Sequence, residues 1–239
     1  MSKSLVFAEP GVPHEVLSLK EDSVPDASEL KPGKLLVKIL AAPINPSDIN
    51  TVEGKYPLRP ELPGVPGNEA VGVVQAVGPE VSGIEKGDRV VPVKSCEGTW
   101  RTHAVVDASA WHKVPASLPL EVACAMSINP PTALLMLTTF VDLKPGDAVV
   151  QDGANSAVGK YVIQLAKDRG LKSINLIRAR DSEAETQKLK DELHELGATL
   201  VTTAEALKED LKASGLPAPK LALDCVGGPT AVAMAKSLE

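Results

Sequence analysis

Gly153-Ala154-Asn155-Ser156-Ala157-Val158-Gly159 joins a short apolar run, Ala148-Val149-Val150, to a segment with apolar residues at helical spacing, Tyr161, Val162, Ile163, Leu165 and Ala166. A glycine-rich passage from strand to helix turns backbone N–H groups and the positive end of a helix dipole toward an anion, above all a pyrophosphate. Here the pattern departs from G-x-G-x-x-G, because small polar residues displace the middle glycine. Taken alone it also fits an ordinary tight βα turn. The following strand, Ser173-Ile174-Asn175-Leu176-Ile177, ends on Arg178-Ala179-Arg180. An NAD site carries an acid about twenty residues beyond its turn, to accept from a ribose hydroxyl. Two guanidinium forks match a phosphate instead, so this strand end suits the 2′-phosphate of NADP. The competing reading is a solvated charge pair.

The elements that must position these groups alternate. Strands at 148–151, 173–177, 199–202 and 220–225 are predicted, with helices at 157–168, 182–196, 204–213 and 229–238. Such alternation means a parallel sheet with right-handed crossovers, giving an α/β fold class. A complete dinucleotide fold has six strands in the order 3-2-1-4-5-6. Four are found here, so the expectation is a fragment or truncated product whose fourth strand, Leu221 to Val226, is left as an apolar edge. A minimal four-strand domain is the alternative. Ahead of this region, residues 1–124 read as mostly β, with strands at 4–8, 34–41, 70–77, 89–93 and 101–106 separated by Pro and Gly, as in a compact barrel. Segments 120–126 and 132–140 read as helical, broken by Asn129-Pro130-Pro131. The domains are therefore expected at 1–124 and 125–239.

A net charge of −6 argues against a nucleic-acid partner. No run has the length of a membrane span. Cys96, Cys124 and Cys225 show neither metal spacing nor a disulfide pattern, which fits a reducing compartment. The chain enters a strand-like segment at once, so a targeting peptide is read as absent or already removed.

Four groups of residues resemble the 2-enoyl thioester reductases of mitochondrial fatty acid synthesis, zinc-free members of the medium-chain dehydrogenase/reductase superfamily. They are Pro43-Ile44-Asn45-Pro46-Ser47-Asp48-Ile49-Asn50 with Gly54-Lys55-Tyr56-Pro57; Pro66-Gly67-Asn68-Glu69 and Gly98-Thr99-Trp100-Arg101-Thr102; Asn129-Pro130, Asn155-Ser156-Ala157-Val158-Gly159-Lys160-Tyr161 and Arg178-x-Arg180; and Leu221-Ala222-Leu223-Asp224-Cys225-Val226-Gly227-Gly228. Ala179 stands where relatives often carry Asp, and the family's last strands have no counterpart here. The resemblance implies a GroES-like β-barrel followed by a Rossmann doubly wound sheet, apparently truncated after its fourth strand. It further implies NADPH as cofactor, an enoyl-CoA or enoyl-acyl-carrier-protein substrate, a homodimer for the full-length family, and the mitochondrial matrix as location.

Residue by residue, the likeness makes Tyr56 the proton donor and Asn45, Asn129, Asn155, Ser156, Ala157, Val158, Arg178 and Arg180 the cofactor contacts. A phenol is protonated at neutral pH and can donate a hydrogen bond or a proton. Tyr56 also suits a loop anchor packed on the barrel. Asn45 suits a turn cap before Pro46, and Asn129 a helix N-cap before Pro130. Trp100 suits a pocket wall or plain core. Lys31, Lys34, Lys55 and Arg59 suit either phosphate attraction or solvation. Zinc-dependent relatives place a cysteine at position 45 and a histidine at 68. Asn45 and Asn68 are poor zinc ligands, and His14, His103, His112 and His194 lack ligand spacing, so no metal is expected.

The leading function is thus NADPH-dependent reduction of trans-2-enoyl thioesters. A zinc-free quinone or enone oxidoreductase shares the Asn45-Pro46-x-Asp48 theme and is the first alternative. A truncated, non-catalytic cofactor-binding or interaction product is the second.

Overall fold

The computed structural model describes residues 1–238. The chain forms two compact units, Met1–Ile128 and Asn129–Glu239. Residues 125–128 fall with the first unit rather than with the domain expected to start at 125. The reason is packing: Ala125 and Met126 lie against the buried cluster of Val71, Val91, Val114, Ala123 and Cys124.

The first unit runs β1 (Ser2–Val6), α1 (Pro13–Val16), β2 (Ser18–Asp22), β3 (Lys34–Ala41), α2 (Pro46–Val52), β4 (Val71–Val77), β5 (Arg89–Pro92), β6 (His103–Asp107), β7 (Trp111–Val114) and α3 (Leu120–Ala123). β1 and β2 make a separate antiparallel pair. The other strands form a five-stranded antiparallel sheet in the order β6-β3-β4-β5-β7. A 3₁₀ turn, Ala108–Ala110, carries the chain from one end strand of that sheet to the other. The sheet wraps one core of Leu35, Val37, Val74, Val90, Ala104, Val106 and Trp111. Three successive residues of β3, Leu35 to Val37, are buried because a register shift at Leu36/Val37 breaks the usual in-out alternation. Trp111 carries the largest fully buried side chain, its indole N–H donating to Glu97 Oε2 at 3.1 Å.

The second unit runs α4 (Asn129–Thr139), β8 (Ala148–Gln151), α5 (Ala157–Asp168), β9 (Lys172–Leu176), α6 (Glu183–Leu196), β10 (Leu200–Thr202), α7 (Leu207–Ser214), β11 (Pro219–Leu223) and α8 (Gly228–Ala235). Its parallel sheet has the order β10-β9-β8-β11, which is 3-2-1-4 by chain order and leaves β11 at one edge. Helices cover both faces. Ala133, Leu137 and Val162 of α4 and α5 pack on Val149, Leu221 and Leu223. On the opposite face Leu207 and Met234 of α7 and α8 pack on Ala148, Val150 and Ile174. Burial on both faces is why these strands read as continuous apolar runs.

Asn129-Pro130-Pro131 does not break a helix; it begins one. Pro130 and Pro131 occupy the first turn of α4, where the N–H groups they lack have no acceptor inside the helix. No helix among the described residues is long and apolar enough to cross a membrane.

Candidate functional site

In the second unit, chemistry converges on the carboxyl ends of the strands. Ser156 is the N-cap of α5 and accepts from Gly159 N at 3.1 Å, while Ser156 N donates to Gly153 O at 2.8 Å. Gly153 has φ +54. A Cβ on Gly159 would lie 2.6 Å from Ala154 O and 2.7 Å from Gly153 O, and backbone oxygens there cannot give way. Both glycines are therefore required by the turn. Between them Asn155, Ser156 and Ala157 are exposed and Val158 is half-buried. The turn is braced from beneath: Gln151 Nε2 donates to Gly159 O at 2.9 Å and to Asn175 Oδ1 at 2.8 Å. The result is a rigid, solvent-facing helix N-terminus of the kind that receives phosphate.

Arg178, Ala179 and Arg180 follow β9 and are all exposed. Among the described residues neither guanidinium forms an ion pair. Arg180 N donates to Thr186 Oγ1 at 2.8 Å, which ties the strand end to the first turns of α6. Ser182 caps that helix by accepting from Glu185 N at 3.2 Å, and its hydroxyl donates back to the Glu185 carboxylate at 3.1 Å. A cavity of about 480 Å³, lined in part by Gly153, Asn155, Ile177, Arg178, Val226 and Thr230, lies over the strand ends. A second, of about 520 Å³, is bounded by Arg178, Arg180 and Lys188 together with the acids Asp181, Glu185 and Glu192. Arg178 and Ala179 border both. The fold thus brings Gly153 and Asn155 of the predicted phosphate turn and Arg178 to one crevice, with Arg180 lining the adjoining one.

Sequence reasoning missed the acids beneath this crevice. Asp152, buried, accepts from Cys225 N at 2.8 Å and Val226 N at 3.3 Å, joining the end of β8 to the loop after β11. Burial and a hydrogen bond with Asp224 raise the Asp152 carboxyl above the usual range. The bond with Asp152 and the Gly227 N–H lower Asp224. Burial, then the Asp152 carboxylate, push the Cys225 thiol up to about 11.

In the first unit, Tyr56 sits half-buried in the loop after α2. Lys55 N and Tyr56 N both donate to Asn50 O, at 2.8 and 3.1 Å. Arg59 Nη2 donates to Gly54 O at 2.7 Å and its Nε to Tyr56 O at 3.4 Å. Gly54 has φ +71, and a Cβ there would lie 2.8 Å from Pro10 Cβ. The backbone around Tyr56 is therefore fixed, whereas its hydroxyl makes no hydrogen bond within its own unit. Arg59 acts on the loop, Lys55 pairs with Glu53 and Lys34 with Asp107, so these cations serve local structure.

Asn45 occupies the N-cap position of α2 and shares a capping box with Asp48, its side chain accepting from the Asp48 N–H. Its backbone N–H donates to Asp48 Oδ2 at 2.8 Å, and its Nδ2 donates to Glu69 Oε2 at 2.9 Å. Asp48 Oδ1 in turn accepts from Asn68 N and Nδ2, at 3.1 and 2.7 Å. The Oδ1 of Asn68 accepts from Cys96 N at 2.8 Å. Where zinc-dependent relatives place thiolate and imidazole, this chain has two amides committed to internal hydrogen bonds. Among the described residues no group of three or more His, Cys, Asp or Glu side chains is arranged to hold a metal. Trp100 is not core. It is half-buried, donates to Pro43 O at 3.2 Å and lines a shallow surface cavity with Lys3, Ile39 and Ile44. Asn129 is buried as the first residue of α4, rather than the residue before it.

These two units match known proteins. The family model described as alcohol dehydrogenase GroES-like domain matches residues 31–116. A curated relative, the mitochondrial enoyl-[acyl-carrier-protein] reductase of Arabidopsis thaliana, is 45% identical over 240 residues, covering 99% of this chain. The chain spans 62% of that relative's length. The solved complex of Etr1p, a mitochondrial 2-enoyl thioester reductase of Candida tropicalis, with NADP and crotonyl-CoA is 36% identical with a TM-score of 0.90. It covers all of this chain and 72% of the Etr1p chain. A putative NADPH:quinone reductase from Bacillus thuringiensis is 30% identical, TM-score 0.86, covering 100% of this chain and 70% of its own. The fold is thus a GroES-like unit followed by a Rossmann-type parallel sheet. The chain belongs to the 2-enoyl thioester reductase family.

Proposed function

We propose that this chain carries the nucleotide-binding and proton-donating parts of an NADPH-dependent 2-enoyl thioester reductase, acting on enoyl-CoA or enoyl-acyl-carrier-protein. The observation that carries the reading is the exposed Arg178/Arg180 pair, free of ion pairs among the described residues, with Arg178 lining the crevice that Gly153 and Asn155 of the turn also line. The residues present fit the cofactor. The α5 N-terminus at Asn155, Ser156, Ala157 and Val158 takes the pyrophosphate, the two arginines take the 2′-phosphate, and Asn45 and Asn129 offer amides to ribose or nicotinamide. Bound there, NADPH supplies the hydride for Cβ of the conjugated thioester.

Tyr56 then does what a neutral phenol can: it delivers a proton at Cα of the substrate. Its braced backbone and uncommitted hydroxyl support that role over packing. The names of the relatives support a mitochondrial setting, which we read as the matrix, and the heterodimer in which Etr1p was solved supports reading the protein as half of a dimer.

The likeness to the NADPH:quinone reductase keeps one competing reading alive, a zinc-free quinone reductase on the same scaffold. NADPH oxidation measured with crotonyl-CoA and with a quinone, on this chain and on a version extended to the relatives' length, decides between them. Turnover of the thioester is expected. Turnover of the quinone alone reverses the order, and NADPH binding without turnover of either by both forms makes the protein a cofactor-binding product.

A further inference from the structure

On β8 and β9, residues that pack on α7 and α8 alternate with residues on the α5 side of the sheet. That side is apolar at Val149 but polar at Gln151, Ser173 and Asn175, all three buried. Gln151 and Asn175 stand opposite one another in the parallel register of the two strands. Gln151 Nε2 donates to Gly159 O at 2.9 Å and to Asn175 Oδ1 at 2.8 Å. Asn175 Nδ2 donates in turn to Ser173 O at 3.0 Å, Ser173 Oγ at 3.1 Å and Leu200 O at 3.1 Å. One chain of amides thus runs from the first turn of α5 through β8 and β9 to β10.

Reversing either amide would set oxygen against oxygen, so each fixes the orientation of the other. An apolar pair of the same shape would stabilise the fold about as well, because a buried hydrogen bond returns little beyond the hydration its partners gave up. Apolar contact cannot fix distance and direction, since the hydrophobic effect is non-directional. Gly159 is where direction counts. Its N–H donates to Ser156 Oγ at 3.1 Å and its carbonyl accepts from Gln151, so both of its polar groups locate the first turn of α5. We infer, on the reading of the α5 N-terminus as the pyrophosphate site, that Gln151 and Asn175 are positioning residues that hold this turn over the sheet and so set its affinity for a dinucleotide. The pair governs the part that NADPH and NADH share, whereas Arg178 and Arg180 govern the 2′-phosphate that NADPH alone carries.

Gln151→Met keeps the reach of the side chain and removes both donors. Calorimetry on the full chain is expected to show NADPH and NADH binding each weakened about tenfold, with the ratio between them unchanged. Val149→Ala is the control, because it loosens the apolar packing of the same strand against the same helix. It is expected to lower Tm while leaving both affinities within about threefold of the unmodified chain. The inference is overturned by Gln151→Met binding within about threefold of the unmodified chain, by a weakening confined to one dinucleotide, or by an equal weakening in Val149→Ala.

An unmodified chain that binds neither dinucleotide overturns the pyrophosphate reading instead. The positioning is then read without ligand, by amide hydrogen exchange in Gln151→Met. The N–H groups of Gly159 and Lys160, which donate to Ser156, are expected to exchange about tenfold faster, and those of Ala166 and Lys167 in the later turns of α5 at an unchanged rate. Equal acceleration along α5, or none, overturns the inference. If Gln151→Met does not fold, the Gln151 side-chain amide of the unmodified chain is followed by NMR. Its protons are expected to exchange slowly with solvent, and exchange as fast as that of exposed amides overturns the inference.

Discussion

The sulfur of Cys225 fills the space above Gly153: a Cβ on that glycine would stand 2.7 Å from Sγ, while the backbone there has φ +54. Two independent constraints thus hold the first glycine of the phosphate turn. Gly153→Ala should destabilise the chain by more than about 1 kcal/mol, lowering Tm by about 3 °C or more. NADPH affinity should fall with it. Adding Cys225→Ala removes the sulfur and should recover part of the loss, because only the φ strain then remains. Thermal melts of the two variants check this. Equal destabilisation with and without Cys225 would show the contact to be unimportant.

The same cysteine should be unreactive for its exposure. Burial of the sulfur and the Asp152 carboxylate beside it put the thiol at about 11, above its ordinary value. Below that pH the protonated form dominates, so alkylation at Cys225 should be slow at neutral pH and rise with a midpoint near about 11. The folded state holds its proton more tightly than the unfolded chain. Its contribution to stability is accordingly complete below the unfolded thiol pKa and is lost as pH rises through about 11. Mass spectrometry of iodoacetamide adducts across pH reads the midpoint, and Asp152→Asn should move it down.

Tyr56→Phe removes one hydroxyl from a loop whose backbone bonds are independent of it. In a form that turns over crotonyl-CoA, kcat should fall by about a hundredfold or more while NADPH affinity is unchanged. An unchanged kcat would return Tyr56 to packing.

Much of the second unit was legible because its strands are buried on both faces and its helices α5, α6 and α7 are amphipathic. The helix expected at 157–168 is α5, Ala157–Asp168, and the strand expected at 148–151 is β8, Ala148–Gln151. The first unit was harder. β2 is exposed along its whole length, so Ser18-Leu19-Lys20-Glu21-Asp22 shows no alternation to read. β7 is only four residues, Trp111 to Val114, and too short for a pattern. The helix α2 has no apolar stripe. Its only signals were local ones, Asn45 at the cap, Pro46 in the first turn and Asp48 three residues on.

Of the candidate site, the resemblance pointed to Ser156 and Tyr56, and Arg178 and Arg180 announced themselves by residue type and spacing. Glu69 and Asp152 did not. Each is an acid at the border of an apolar strand, and its partners, Ser127 and Ile128 for one and Cys225 and Val226 for the other, lie far along the chain. An acid leading into an apolar run such as Ala70-Val71 is the one clue the sequence offered, since a charge in that place must find hydrogen bonds.

The central claim is that the end of β9 recognises a 2′-phosphate. Titration of the chain with NADPH and with NADH, followed by calorimetry, tests it without requiring turnover. NADPH should bind at least about tenfold more tightly, and Arg178→Ala with Arg180→Ala should erase that preference while leaving NADH affinity nearly unchanged. Equal affinity for the two dinucleotides, or a preference that survives loss of both arginines, would contradict the account.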